Sequence, residues 1–269
     1  MKKHFIQYKD QKIAIFTKGD PSSYPIVMLH GNSLSSFTFK NQFNQPDFKN
    51  YYLVSMDLLG HGDSERAGKS AEHYSFNGVL KQISYVISQL KISKPTIVGN
   101  SLGGHLALHY HSETKNTNGL MICGTPPLTS SLNLEEAMLP NPDIDLAFKA
   151  EHTADDRNKL SMLLTGRQDP DINALLKKSD PLFRSSFVNS LSTEPFEDET
   201  MIVRKMDVPL YIFQSEKETV ANLEYIKELK MPNLFENKIH VHPEGSHCPQ
   251  YTDPKVFNNE LKRFINHLK

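Results

Sequence analysis

The stretch Pro95-Thr96-Ile97-Val98-Gly99-Asn100-Ser101-Leu102-Gly103-Gly104 carries the strongest chemical signal in the chain. Gly99, Ser101 and Gly103 form a G-x-S-x-G pattern. The string alone is weak, and its surroundings make it specific. A β-rich apolar run leads into it, and a helix-compatible stretch from Leu102 to Tyr110 leads out. A tight strand-to-helix turn of this kind presents a serine hydroxyl at the C-terminal edge of a sheet, as a nucleophile. The two glycines fit that turn, because a Cβ at either site would collide with neighbouring backbone.

A serine hydroxyl is a poor nucleophile at its own pKa, so a base and an orienting acid are needed. After such a turn they follow in the order serine, acid, histidine. Val241-His242-Pro243-Glu244-Gly245-Ser246-His247 places a histidine in a glycine-containing loop just after an apolar run. His247 is the candidate base, with His242 the nearest competitor. The acid belongs after the preceding run, Leu210 to Phe213, where Glu216 and Glu218 are both available. Glu218 is preferred, since it lies five residues past the run and leaves a short loop to reach the histidine. The acid would hold one tautomer of His247 and stabilise the imidazolium. An oxyanion hole needs backbone N–H groups, for which Leu102 and Asn32 are the candidates. Gly31 would let the backbone pass close to the substrate, and His30 reads as a structural hydrogen-bonder.

Other features have plainer readings. His105 and His109 are four apart, like a metal pair, but no glutamate follows His105 as a zincin requires. Their helix is expected to be buried behind the turn, so no metal is assigned. Asp57 to Ser64 reads as a structured turn and Cys123 as a small core residue. Cys248 neighbours His247 without a further role. No cofactor is expected.

These residues need a scaffold. Apolar runs at Ile26–Leu29, Tyr51–Met56, Thr96–Val98, Leu120–Cys123, Leu210–Phe213 and Lys238–Val241 suit strands buried on both faces. A hairpin around Lys9-Asp10-Gln11 precedes them. Helical spacing recurs at Val79, Ile83, Val86, Ile87 and Leu90, and at Leu223, Ile226 and Leu229. It recurs again at Val256, Leu261, Phe264, Ile265 and Leu268, with Asp253-Pro254 as a helix start. Alternating strands and helices predict an α/β fold, a mostly parallel sheet flanked by crossover helices. From Leu128 to Met206 no strand is predicted. Clusters at Leu160-Met162-Leu163-Leu164, Leu175-Leu176 and Phe183–Phe187 predict amphipathic helices inserted before the strand that carries the acid. The expected organisation is a core of 1–127 and 207–269 with a helical cap, 128–206. Leu160 and Leu163 are the cap's candidate substrate contacts.

The 269 residues carry 30 Lys plus Arg against 31 Asp plus Glu. That balance argues against a nucleic-acid surface, which needs a basic excess. No run of 18 apolar residues crosses a membrane, and no apolar segment follows the N-terminal lysines as in a signal peptide. A cytoplasmic protein acting on a small molecule is expected. Two cysteines give no disulfide framework.

With these residues in place the chain resembles the α/β-hydrolase superfamily over nearly its full length. The resemblance rests on His30-Gly31-Asn32, Asp57 to Ser64, Gly99 to Gly104, Gly245 to His247, and the inserted helical segment. A closer resemblance is to the metal-independent, serine-type N-acyl-homoserine lactonases of bacteria. It is carried by His30-Gly31-Asn32-Ser33, by Gly119 to Pro127, and by Asn233 through His247. The resemblance implies a glutamate as triad acid, at Glu218, and opening of a homoserine lactone ring, which would quench quorum sensing. One departure is plain. Those lactonases use a cap tyrosine near the substrate, whereas the tyrosines here jump from Tyr110 to Tyr211. A general carboxylesterase, a C–C bond hydrolase of ring-cleavage products and a small-molecule receptor that retains the triad are the other readings. A haloalkane dehalogenase is excluded by the serine nucleophile and by the absence of tryptophan.

Overall fold

The computed structural model describes residues 1–68 and 71–269. Eight strands form one sheet: β1 (Lys2–Tyr8), β2 (Gln11–Lys18), β3 (Pro25–Leu29), β4 (Tyr52–Met56), β5 (Thr96–Asn100), β6 (Gly119–Cys123), β7 (Leu210–Ser215) and β8 (His240–His242). Their order is β1-β2-β4-β3-β5-β6-β7-β8. Pairing is parallel from β4 through β8, while β1 with β2 and β2 with β4 are antiparallel. The hairpin turns at Lys9, whose φ of 51° puts it in the left-handed region.

Strand periodicity divides the core in two. Val27, Leu29, Val54, Met56, Ile97, Leu120 and Ile122 face one side of the sheet. Ile26, Met28, Leu53, Val98, Met121 and Cys123, their alternating neighbours, face the other. Successive side chains point to opposite faces, so a strand buried on both reads as one continuous apolar run. The helices Phe76–Gln89 and Leu102–Thr114 cover the first face. The helix Pro254–Leu268 covers the second, burying Phe257, Leu261, Phe264 and Ile265. Asp253 caps it by accepting from the N–H of Val256, with proline in the first turn, where its missing N–H costs nothing.

The last strand begins later than its apolar run suggests. Glu236 and Asn237 adopt φ of 53° and 54°, so the chain is still turning at Lys238 and pairs only from His240.

Between β6 and β7 the chain is helical, with Ala154–Thr165, Pro170–Lys178, Pro181–Thr193 and Glu199–Lys205 as its longer helices. Asp169, Asp180 and Asp198 accept from first-turn N–H groups, and Thr153 forms a capping box with Asp156. This segment packs in two ways. Leu160, Leu163, Leu164, Ile172 and Leu176 form a separate cluster with Leu34, Val220 and Tyr251. Phe183, Phe187, Ile202, Val203 and Met206 join the main core instead. Met162, within an apolar sequence cluster, turns outward and is 46% exposed.

Candidate active site

Ser101 sits between β5 and the helix Leu102–Thr114 with φ 54° and ψ −121°. A non-glycine residue there costs on the order of 1–3 kcal/mol and persists only where its surroundings enforce it. Its N–H donates to the Cys123 carbonyl at 2.9 Å, and Thr125 Oγ1 donates to the Ser101 carbonyl at 3.0 Å. The turn closes because its flanking glycines lack side chains. A Cβ on Gly103 would lie 2.1 Å from the Leu29 carbonyl oxygen, and one on Gly99 2.4 Å from the Gly103 oxygen.

The two acid candidates separate clearly. Glu216 is exposed, whereas Glu218 is buried with Oε1 at 2.9 Å from Nδ1 of His247. That oxygen also accepts from the N–H groups of Thr219 and Val220, at 2.9 and 2.8 Å. Burial alone would raise the Glu218 pKa, but the pull of His247 and these N–H groups bring it below its ordinary value. The carboxylate is therefore ionised at neutral pH. Nδ1 of His247 carries the proton, and Nε2 is left to act as base. The competing His242 is committed to Asp253, at 2.6 Å. Among the described residues no hydrogen bond joins Ser101 Oγ to His247; both line one cavity. Such bonds commonly form only when substrate is bound.

Two supports of His247 escape a reading of the sequence. Asn100 Nδ2 donates to the His247 carbonyl at 2.8 Å, while Asn100 Oδ1 accepts from Gln250 and Cys248. Cys248, without a role in the sequence, is thus part of the bracket behind the histidine. Gly124, with φ 60°, lets the imidazole approach: a Cβ there would be 2.7 Å from Cε1. Its place in the run Gly119 to Pro127 was the available signal.

Gly31, Asn32 and Leu102 line the same cavity as Ser101. Leu102 is the first residue of its helix, so its N–H has no partner within the helix and points the favourable dipole end at an anion. The Asn32 loop is held by two buried histidines. His30 Nδ1 donates to the Gly31 carbonyl at 2.8 Å and its Nε2 accepts from the Leu58 N–H at 3.0 Å. His61 Nε2 accepts from the Ser33 N–H at 3.1 Å. Burial lowers both pKa values, that of His61 strongly, so both rings work as neutral hydrogen-bonders. In the adjoining turn Asp57 accepts from the N–H groups of Ser36 and Asp63, each at 2.7 Å.

The cap closes over this loop. Asn32 Nδ2 donates to the Ala147 carbonyl at 2.7 Å. The buried Arg184 guanidinium donates to Ser33 Oγ and Ser179 Oγ at 3.1 and 2.7 Å, and to the carbonyls of Lys149 and Ala150. Below lies a cavity of about 310 Å³, walled by Leu160, Leu163, Leu164, Phe148, Phe187 and Phe196 among others. Leu160 and Leu163 are thus on the cavity wall, whereas Phe183 packs beneath it against Tyr74 and His61.

One expectation is overturned. His105 is not hidden behind the turn: it lines the cavity, because it follows Ser101 by one helical turn on the same face. Its Nδ1 lies 3.0 and 2.8 Å from the two oxygens of Glu199, a fully buried residue 94 positions away. Nε2 of His109 is 3.2 Å from the same carboxylate. Burial raises the Glu199 pKa, yet the attraction and hydrogen bond of His105, with the close approach of His109, outweigh it and bring it down to about 2. The carboxylate accepts from the Leu128 N–H at 2.8 Å, and the Glu199 N–H donates back to the Leu128 carbonyl at 2.8 Å.

Among known proteins, a family model described as Alpha/beta hydrolase family matches residues 26–260. The AB hydrolase superfamily protein YisY of Bacillus subtilis is 23% identical, over 98% of this chain and 99% of its own. A 2-hydroxy-6-oxononadienedioate/2-hydroxy-6-oxononatrienedioate hydrolase of Klebsiella pneumoniae is 24% identical over 89% of this chain and 86% of its own. Among solved structures, the N-acyl homoserine lactonase AidH in complex with N-butanoyl homoserine superposes with a TM-score of 0.94. It is 26% identical, covering 100% of this chain and 98% of that one.

Proposed function

The chain belongs to the alpha/beta hydrolase family, and from that premise we propose a serine hydrolase that cleaves a carboxylic ester or lactone, with N-acyl-homoserine lactones as its substrates. The observation that carries this reading is the buried Glu218–His247 pair, 2.9 Å apart, on the cavity that Ser101 enters. His247 Nε2 takes the hydroxyl proton as Ser101 Oγ bonds to the lactone carbonyl carbon. The oxyanion is met by the N–H groups of Asn32 and Leu102. The ring C–O bond breaks, and His247 returns the proton to the alkoxide, leaving an acyl-enzyme with a free hydroxyl. Water then attacks, again deprotonated by His247, and the serine leaves with that proton. The product is the N-acyl-homoserine. The apolar cap wall, with Leu160 and Leu163, takes the acyl chain and excludes water.

The lactone choice draws on the likeness to AidH across the whole chain. A general carboxylesterase is the second reading, favoured by the absence of any tyrosine between Tyr110 and Tyr211. A panel of N-acyl-homoserine lactones against p-nitrophenyl esters, with ring opening followed by proton release, decides between them. Turnover of lactones, lost in Ser101→Ala, supports the first reading. Good ester turnover without lactone turnover leaves the esterase, and full activity of Ser101→Ala on both would overturn the serine mechanism.

A further inference from the structure

Ser101 and His105 are four residues apart at the start of one helix, so they share its cavity-facing side, roughly 6 Å apart along the axis. The imidazole of His105 is thus a polar group in a wall built mainly of leucine and phenylalanine. Both Glu199 oxygens take up Nδ1, and Glu199 is ionised. Nδ1 therefore holds a proton against the carboxylate, and in the uncharged form of the ring the lone pair lies on Nε2. Among the described residues Nε2 of His105 has no protein partner.

A purely architectural role accounts for Glu199 but not for this nitrogen. The carboxylate already accepts the Leu128 N–H and lies against His109. Neither contact requires His105 to reach the cavity. The His105 side chain is partly exposed and lines the cavity, so a substrate group can take the place of water at this nitrogen.

We propose that His105 determines specificity: its Nε2, oriented by Glu199, accepts a hydrogen bond from an amide N–H or a hydroxyl on the substrate's acyl arm, about one helical turn from the scissile carbonyl. Glu199 is then a positioning residue. This rests on the serine-hydrolase reading of the same cavity and narrows its substrates to esters or lactones whose acyl arm carries a hydrogen-bond donor.

Three esters of equal length test it: p-nitrophenyl 5-acetamidopentanoate, its N-methyl amide analogue, which lacks the donor, and p-nitrophenyl octanoate. The protein should prefer the N–H amide over the N-methyl amide by about tenfold in kcat/KM, the typical worth of one hydrogen bond in a closed site. His105→Leu should erase that ratio, and His105→Gln, which keeps an acceptor, should restore part of it. Equal kcat/KM for the two amides, or a ratio that His105→Leu leaves intact, overturns the proposal. Affinities of the same pair for Ser101→Ala, with and without His105→Leu, read the ratio without turnover. If Ser101→Ala still hydrolyses the esters, the serine reading fails; if only the ratio is insensitive to position 105, the specificity role alone fails.

Discussion

His247–Glu218 and His105–Glu199 are built from the same two side chains, lie deep in the protein and open onto one cavity, yet they are held in opposite ways. The first pair stands on loops after β7 and β8, its carboxylate fixed by the N–H groups of the next two residues. The second joins two helices, its carboxylate shared with a second histidine and the Leu128 N–H. In both, the adjoining histidine and the hydrogen bonds to the carboxylate outweigh burial and keep the acid ionised. A perturbed carboxylate therefore does not by itself mark the reacting centre. What sets the first pair apart is its place in the chain: Ser101, Glu218 and His247 follow one another in the order serine, acid, histidine.

The sharpest way to break this distinction is to remove each group in turn. Ser101→Ala and His247→Ala should each lower kcat about a million-fold, and Glu218→Ala about ten-thousand-fold, as in other triads. If Glu199→Gln lost as much on a plain alkanoate ester as Glu218→Ala, the two pairs would not differ in kind. Next comes Gly124→Ala, whose Cβ would meet His247 Cε1 at 2.7 Å. It should lower kcat on the order of a hundredfold, the cost of an ångström's misplacement, while the thermal midpoint moves by only a few degrees. A variant with normal kcat would show that His247 has slack.

Glu199 should matter most to folding. Its pKa falls from 4.5 to about 2, so its stabilisation is complete above pH 4.5 and is lost as pH falls toward 2. That difference is worth on the order of 3 kcal/mol. Urea midpoints measured across this range should fall steeply in the wild type and more gently in Glu199→Gln; parallel curves would refute the assignment. The smallest effect belongs to the neutral histidines under the Asn32 loop. Burial lowers the pKa of His61 well below 6.5, so the unfolded chain binds its proton first and stability falls as pH drops below 6.5. His61→Gln keeps an acceptor for the Ser33 N–H and should flatten that slope between pH 7 and 5.5.

What can be read without coordinates is what local patterning dictates. The strands are legible because burial on both faces makes them uniformly apolar, and the turn at Ser101 because its glycine-serine-glycine spacing follows an apolar run and opens a helix. Gly99 is forced by Gly103 and Gly104 close by, whereas Gly103 is forced by Leu29 on a neighbouring strand. Glu218 needed a choice between two acids, and spacing past β7 suggested it; burial of one and exposure of the other is what separates them. Glu199 was not legible. Nothing at position 199 announces a partner 94 residues earlier, since the meeting depends on how the helix Glu199–Lys205 docks on the helix Leu102–Thr114. Arg184 is opaque for the same reason. Its hydrogen bonds go to backbone carbonyls and hydroxyls, and such acceptors occur everywhere in a sequence.

The reciprocal bonds between Leu128 and Glu199 have a consequence for how such a protein can change. Between β6 and β7, the start and the end of the helical segment are joined by one pair of hydrogen bonds, each 2.8 Å long. A segment whose ends already touch can be lengthened, shortened or exchanged without moving its points of attachment. Changes at the wall residues between those ends, such as Leu160 and Leu163, can therefore reshape the cavity without loosening the ends, whereas Arg184 and the phenylalanines that join the main core have no such freedom.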